Sequence, residues 1–142
     1  MLKKIYNEVT REWDTSVEEA LKSFIRLPAL SPDFDKKWEE NGVLLKALEE
    51  AKAWAEKQGI KGLRCEIIKD DGFTPCLFIE VDATSDKKFE RSVFFYGHLD
   101  KQPPNEGWDP DKSAWEPVIQ NGRLYGRGAV DVVMPFTRLW PQ

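Results

Sequence analysis

Histidine is nearly absent: His98 is the single one in 142 residues. A zinc site built from several imidazoles is therefore excluded within this chain. Cysteine is scarce too. Cys65 and Cys76 are too few for a disulfide framework. There is no excess of positive charge. Lys plus Arg total 21 against 25 Asp plus Glu, a formal net charge of −4, which argues against a nucleic-acid partner. No apolar run approaches the ~20 residues that a membrane span needs. The opening Met1-Leu2-Lys3-Lys4 is charged, with no apolar stretch behind it. No secretory signal is expected, and the cytoplasm is the expected compartment. Internal repeats and low-complexity tracts are missing as well. What is present is 41% hydrophobic and 32% charged residues, enough to bury a core at the length of about one domain.

The first third reads as helix. Leu2, Ile5, Tyr6, Val9 and Trp13 recur at three- and four-residue steps, as on one helical face. Thr15 with Glu18 fits a capping box opening a second helix over residues 17–25. Pro28 and Pro32 interrupt the pattern. A longer helix is expected over residues 34–58, with Trp38, Leu45, Leu48 and Trp54 as its buried stripe, Gly59 as its C-cap, and Gly42 as a weak point in its middle. After Gly59 the period shortens. Leu63, Cys65 and Ile67 alternate with Arg64, Glu66 and Ile68, Asp70-Asp71-Gly72 signals a turn, and residues 76–81 read as a return strand. Cys65 and Cys76 could face each other across this hairpin. The blander reading makes them small buried hydrophobes in a reducing compartment. Ser92-Val93-Phe94-Phe95-Tyr96-Gly97 is a continuous apolar run, as in a strand buried on both faces. Turn formers crowd residues 101–122, and Arg123-Leu124-Tyr125 reads as a short strand entering a glycine turn. Helices followed by a mixed β-sheet predict a layered α/β domain.

His98 and Asp100 sit just beyond the apolar run. Residues two apart on an extended segment share one side, at the sheet edge where open α/β sheets place ligands. A neutral imidazole nitrogen suits Zn²⁺, and an adjacent carboxylate can orient the imidazole. On three residues alone, a strand-end histidine followed by a turn aspartate is the ordinary reading. Gly126-Arg127-Gly128-Ala129-Val130-Asp131 then delivers a second carboxylate after a turn whose glycines permit close backbone approach. That turn could aim Asp131 at His98. Trp108 and Trp115 are expected to pack their own loop. Arg127 is expected to hold the glycine turn by an ion pair rather than to contact a substrate carboxylate. Lys101 carries no signal beyond a solvated loop.

In order along the chain, residues 96–104, then Gly107-Trp108, Trp115-Glu116-Pro117 and residues 122–131, are far more specific than any part alone. The set resembles the zinc-dependent exopeptidases and amidohydrolases that include carnosinase-type dipeptidases, aminoacylases and acetylornithine deacetylase, with the dipeptidase-like branch closest. The resemblance implies an incomplete layered α/β metallopeptidase catalytic domain that uses two divalent metal ions, zinc first among them. His98 would be a metal ligand, Asp131 the carboxylate bridging the metals, and Asp100 the catalytic-site carboxylate that steers His98. The implied chemistry is hydrolysis of a peptide or acyl-amide bond by a metal-activated water, with a peptide or acyl-amino acid as substrate.

The tail departs from the family. There, a second Asp, a Gly and a helix of small residues follow the bridging Asp. Here Val132-Val133-Met134-Pro135 follows, a poor helix start. If an intact gene read GAT-GGT-NAT-GCC after the Asp131 codon, loss of the A of GAT would give GTG-GTN-ATG-CC. That encodes the observed Val-Val-Met-Pro. Residues 1–131 are therefore expected to be the N-terminal portion of the catalytic domain, and residues 132–142 an out-of-frame tail. The general-base Glu, further metal ligands and the domain through which the family often dimerises would all be absent. At most one metal would bind, and weakly. Loss of the general base alone costs ~10²–10⁴-fold in rate, so this chain is expected to be inactive. The alternative is a non-catalytic truncated paralogue that binds a partner through an exposed edge. With partner strands missing, poor solubility or partial folding is expected.

Overall fold

The computed structural model describes residues 2–83 and 92–130. Residues 2–26 form one long helical rod. Helix α1 (Leu2–Glu12) passes through a π-helical segment (Trp13–Val17) into α2 (Glu18–Arg26). No new helix starts at Thr15. Glu12 and Val17 keep right-handed helical dihedrals, and the Thr15 hydroxyl donates to the Arg11 carbonyl at 2.8 Å instead of capping. The expected capping box is thus a widened turn inside a continuous helix. The helical period of α1 is as expected but its burial is not. Leu2 and Tyr6 stay 71% and 59% exposed.

Helix α2 ends where Leu27, ahead of Pro28, turns extended (φ −82°, ψ 117°). Residues 31–37 are turns rather than the start of the long helix, because the Asp35 carboxylate accepts from the Lys37 amide at 2.9 Å and from the Asn41 side chain. A short α3 (Trp38–Asn41) then breaks at Gly42, whose φ is +66°. Helix α4 (Val43–Lys57) follows, with Gly59 left-handed just past its end (φ +64°). Its buried residues are Leu44, Ala47, Leu48 and Ala55. The stripe is rotated from the expected one because the alanines allow close approach. Trp54 is half-buried and donates its indole N–H to Ser16 at 3.0 Å, tying α4 to the rod.

Strands β1 (Leu63–Ile68) and β2 (Cys76–Val81) form the expected antiparallel hairpin. Its register pairs Cys65 with Ile79 and Cys76 with Ile68. Since directly paired residues share a face and neighbours alternate, the two cysteines lie on opposite faces. They do not meet. Cys65 is half-buried, and burial pushes its thiol pKa up, while Cys76 is exposed. Strands β3 (Val118–Gln120) and β4 (Arg123–Tyr125) pair around Asn121-Gly122, both at positive φ, as a tight hairpin requires. The α/β class stands, with the described strands in two small antiparallel pairs. The single parallel pairing among the described residues is an isolated bridge between Leu30 and Lys101.

The expectation for residues 93–96 fails. Val93, Phe94, Phe95 and Tyr96 are 79, 81, 59 and 77% exposed. They form no strand, because no neighbouring strand among the described residues pairs with them.

The core lies at the C-terminal end of α2. Leu21, Phe24, Ile25, Leu27, Ala29, Leu44 and Ala47 form it, with Leu99, Leu124 and Ala129 packed against it. Through this core runs Lys101, 2% exposed and not the solvated residue expected. Its Nζ donates to the carbonyls of Phe24 (2.5 Å), Leu27 (2.7 Å) and Ile25 (3.3 Å). These acceptors lie at the end of α2, where the Phe24 carbonyl also accepts from the Leu27 amide and the Leu27 carbonyl from the Ala29 amide. The amine also sits 3.9 Å from the centre of the Phe24 ring. Its backbone N–H bonds to Ala29 and its carbonyl to Ser31.

The glycine turn closes over this lysine. A Cβ on Gly128 (φ +86°) would stand 3.1 Å from Lys101 Cε, and one on Gly126 (φ +153°) 2.5 Å from Ile25 Cγ2. Both conformation and space therefore demand glycine.

Burial lowers the Lys101 pKa from 10.5 to about 7. Near neutrality both amine and ammonium forms are available to donate to the carbonyls. The unfolded chain then holds one more proton than the folded chain between pH 7 and 10.5, so this residue's contribution to stability rises with pH across that window. Lys101→Met should destabilise the chain by about 2–3 kcal/mol in urea unfolding, since it removes three buried hydrogen bonds. The gap between wild type and variant should widen from pH 7 to pH 10. A gap that is absent, or that narrows as pH rises, contradicts the cage.

Candidate functional site

His98 and Asp100 stand where the chain leaves the exposed segment 93–97 and reaches the anchored Lys101. The anchor fixes the backbone one residue from Asp100. The His98 Nδ1 lies 2.9 Å from the Asp100 carboxylate and 3.3 Å from the Asp100 carbonyl. Both partners are acceptors, so Nδ1 donates to them, and in the neutral tautomer Nε2 is the nitrogen with the lone pair. The side chains are 46% and 35% exposed. A carboxylate that accepts from one ring nitrogen is how proteins commonly orient a metal-binding histidine. The expected pairing of His98 with Asp100 is therefore present.

Asp131 lies outside the described residues. Among the described residues no group of three or more His, Cys, Asp or Glu could hold a metal ion. His98 and Asp100 are one imidazole and one carboxylate, fewer than the three or four protein donors of a metal site.

What the structure does bring together is the two ends of the motif. Residues 98–101 and 126–129 meet through Lys101 and Gly128, although the sequence separates them by a long loop. That loop is packed by its own residues, as expected of its tryptophans. Trp108 donates its indole N–H to the Pro104 carbonyl at 2.8 Å, and the Lys101 amine lies 5.4 Å from the Trp115 ring.

Among the described residues Arg127 forms no ion pair that would hold the glycine turn. Its guanidinium donates to the Pro104 carbonyl at 3.3 Å, and its backbone N–H bonds to Ala114 at 2.7 Å. The turn is held by backbone and by the buried lysine. Lys101 is the functional neighbour that sequence reasoning missed. A lysine after His-x-Asp reads as polar surface, and only its place beside an apolar run hinted otherwise.

Residues 94–135 match the profile of the family described as Peptidase family M20/M25/M40. This segment therefore carries the pattern of a hydrolase family of the kind that the motif resembles.

Among individual relatives, succinyl-diaminopimelate desuccinylase of Acidiphilium cryptum (strain JF-5) is 55% identical over 38 residues, 27% of this chain and 10% of that enzyme. The enzyme of the same name from Nitrosospira multiformis is 50% identical over 42 residues, 28% of this chain and 11% of its own. That from Helicobacter pylori (strain P12) is 47% identical over 38 residues, 27% and 9% respectively. The matched stretch spans about a tenth of the length of these curated relatives. No helix among the described residues is long and apolar enough to cross a membrane.

The His98–Asp100 geometry sets a direct test. Nitrogen-15 NMR of the imidazole should show Nδ1 protonated and Nε2 bare in the wild type. In Asp100→Ala the proton should redistribute toward Nε2. A wild-type ring protonated on Nε2 rules the pairing out.

Proposed function

We propose that residues 1–131 are the N-terminal portion of the catalytic domain of a metal-dependent hydrolase acting on peptide or acyl-amide bonds, and that residues 132–142 are an out-of-frame tail. The observation that carries this reading is the His98–Asp100 pair inside the segment that matches a peptidase family. In this reading His98 and Asp131 hold a divalent metal, zinc first among the candidates, and Asp100 orients the His98 ring. The convergence of residues 98–101 with the glycine turn supports it, because the turn ends three residues ahead of Asp131. In a complete site the metals would supply Lewis-acid polarisation of the scissile carbonyl and activation of water. This chain's own contribution is narrower. Asp100 accepts the Nδ1 proton and fixes the ring, and Lys101 holds the backbone on which both stand.

The relatives named as desuccinylases remove a succinyl group from an amine, which makes an acyl-amino acid a fitting substrate class. One imidazole and two carboxylates are too few donors for two metals of four or five ligands each. The 142-residue chain should therefore bind at most one zinc ion and hydrolyse neither dipeptides nor N-acyl amino acids detectably.

Two measurements test the proposal. Calorimetric titration with Zn²⁺ should give no more than one equivalent, with affinity reduced at least tenfold in both His98→Ala and Asp131→Ala. Full affinity in either variant overturns the metal assignment. Sequencing the gene beyond codon 142 should reveal a Glu-Glu-containing continuation in the shifted frame. Its absence overturns the out-of-frame tail.

A further inference from the structure

Beside the glycine turn lies an open cavity of about 280 Å³, lined in part by Glu106, Trp108, Asp109, Lys112, Tyr125 and Arg127. Its size suits a small ligand rather than a drug-sized one. Two rings shape it, and both are held. The Trp108 indole N–H is spent on Pro104, and the Lys112 ammonium sits 4.9 Å from the centre of the Tyr125 ring.

The charges around the cavity are unequally engaged. Lys112 is paired with Asp109 at 3.0 Å and with Asp111 at 2.9 Å. Arg127 is the underused cation. Of the five N–H donors of a guanidinium, one at the terminal end is spent on the Pro104 carbonyl. The buried Nε is unpartnered among the described residues but out of a ligand's reach, so the remaining terminal N–H groups are the ones a ligand could engage. A planar anion accepting two parallel hydrogen bonds is the partner that guanidinium geometry fits best.

The structure assigns this cavity as a binding site for a small carboxylate with a flat apolar body. The carboxylate would engage the Arg127 guanidinium and the apolar part would lie against Trp108 and Tyr125. The proposal stands on this loop alone and does not depend on the hydrolase reading, because none of these side chains is a proposed metal ligand. Glu106, exposed at the rim, opposes an anion and therefore tunes the site.

Benzoate is a suitable probe, and benzamide is its uncharged counterpart of the same shape. Titrating the 142-residue chain with benzoate should shift the Trp108 indole and Arg127 Nε NMR signals saturably, with Kd on the order of 1 mM. Benzamide should bind at least tenfold more weakly. Arg127→Gln should abolish the shift of the indole signal, and Glu106→Gln should tighten binding two- to fivefold. Several outcomes overturn the site: no saturable shift, equal binding of benzamide, equal binding of inorganic phosphate (which would make the rings irrelevant), or binding that survives in a folded Arg127→Gln chain. Should Arg127→Gln fail to fold, Glu106→Gln decides, and unchanged or weaker affinity there ends the proposal.

Discussion

The fold depends on one buried amine. Lys101 fills the hole that α2 leaves at its C-terminus, where the carbonyls of Phe24, Ile25 and Leu27 converge on its Nζ. A buried amine is costly unless hydrogen-bonded, and here three carbonyls accept from it while the lysine stem packs against Gly128. The same residue pins the backbone next to Asp100 and receives the glycine turn. The candidate site is thus built on an electrostatic plug and a pair of glycines more than on a sheet.

That construction explains which parts were legible in the sequence. Alternation in Leu63, Cys65 and Ile67, and the Asn121-Gly122 pair, encode local geometry, and both hairpins appear where the pattern put them. Gly42 and Gly59 likewise mark the ends of α4. The capping signature at Thr15 misled because its hydroxyl had a competing acceptor one helical turn back. Lys101 was illegible for a deeper reason. A lysine's hydropathy records its ordinary preference for water, and only the spatial meeting of residues far apart in the chain creates the acceptors that reverse it. Of the site itself, the pairing of His98 with Asp100 could be read from a spacing of two. The tether between residues 98–101 and the glycine turn could not.

The exposed run 93–96 is the place where local pattern and tertiary setting conflict most. Its composition is that of a buried strand, and its side chains face solvent. Strand propensity is a statement about available neighbours, and a segment this apolar without a paired neighbour is an association hazard. The conflict agrees with the proposal that residues 1–131 are part of a larger sheet-containing domain. The His98–Asp100 pair keeps its geometry at the end of this exposed run because Lys101 anchors its other side.

The central claim is that an imidazole oriented by Asp100 shares a cation with the carboxylate of Asp131. Anomalous diffraction at the zinc edge, from crystals of this chain grown with Zn²⁺, tests it most directly. One peak is expected, about 2.0–2.2 Å from both the His98 Nε2 and an Asp131 carboxylate oxygen, with Asp100 against Nδ1. A zinc peak on His98 with Asp131 turned elsewhere, or zinc bound through Nδ1, would contradict it.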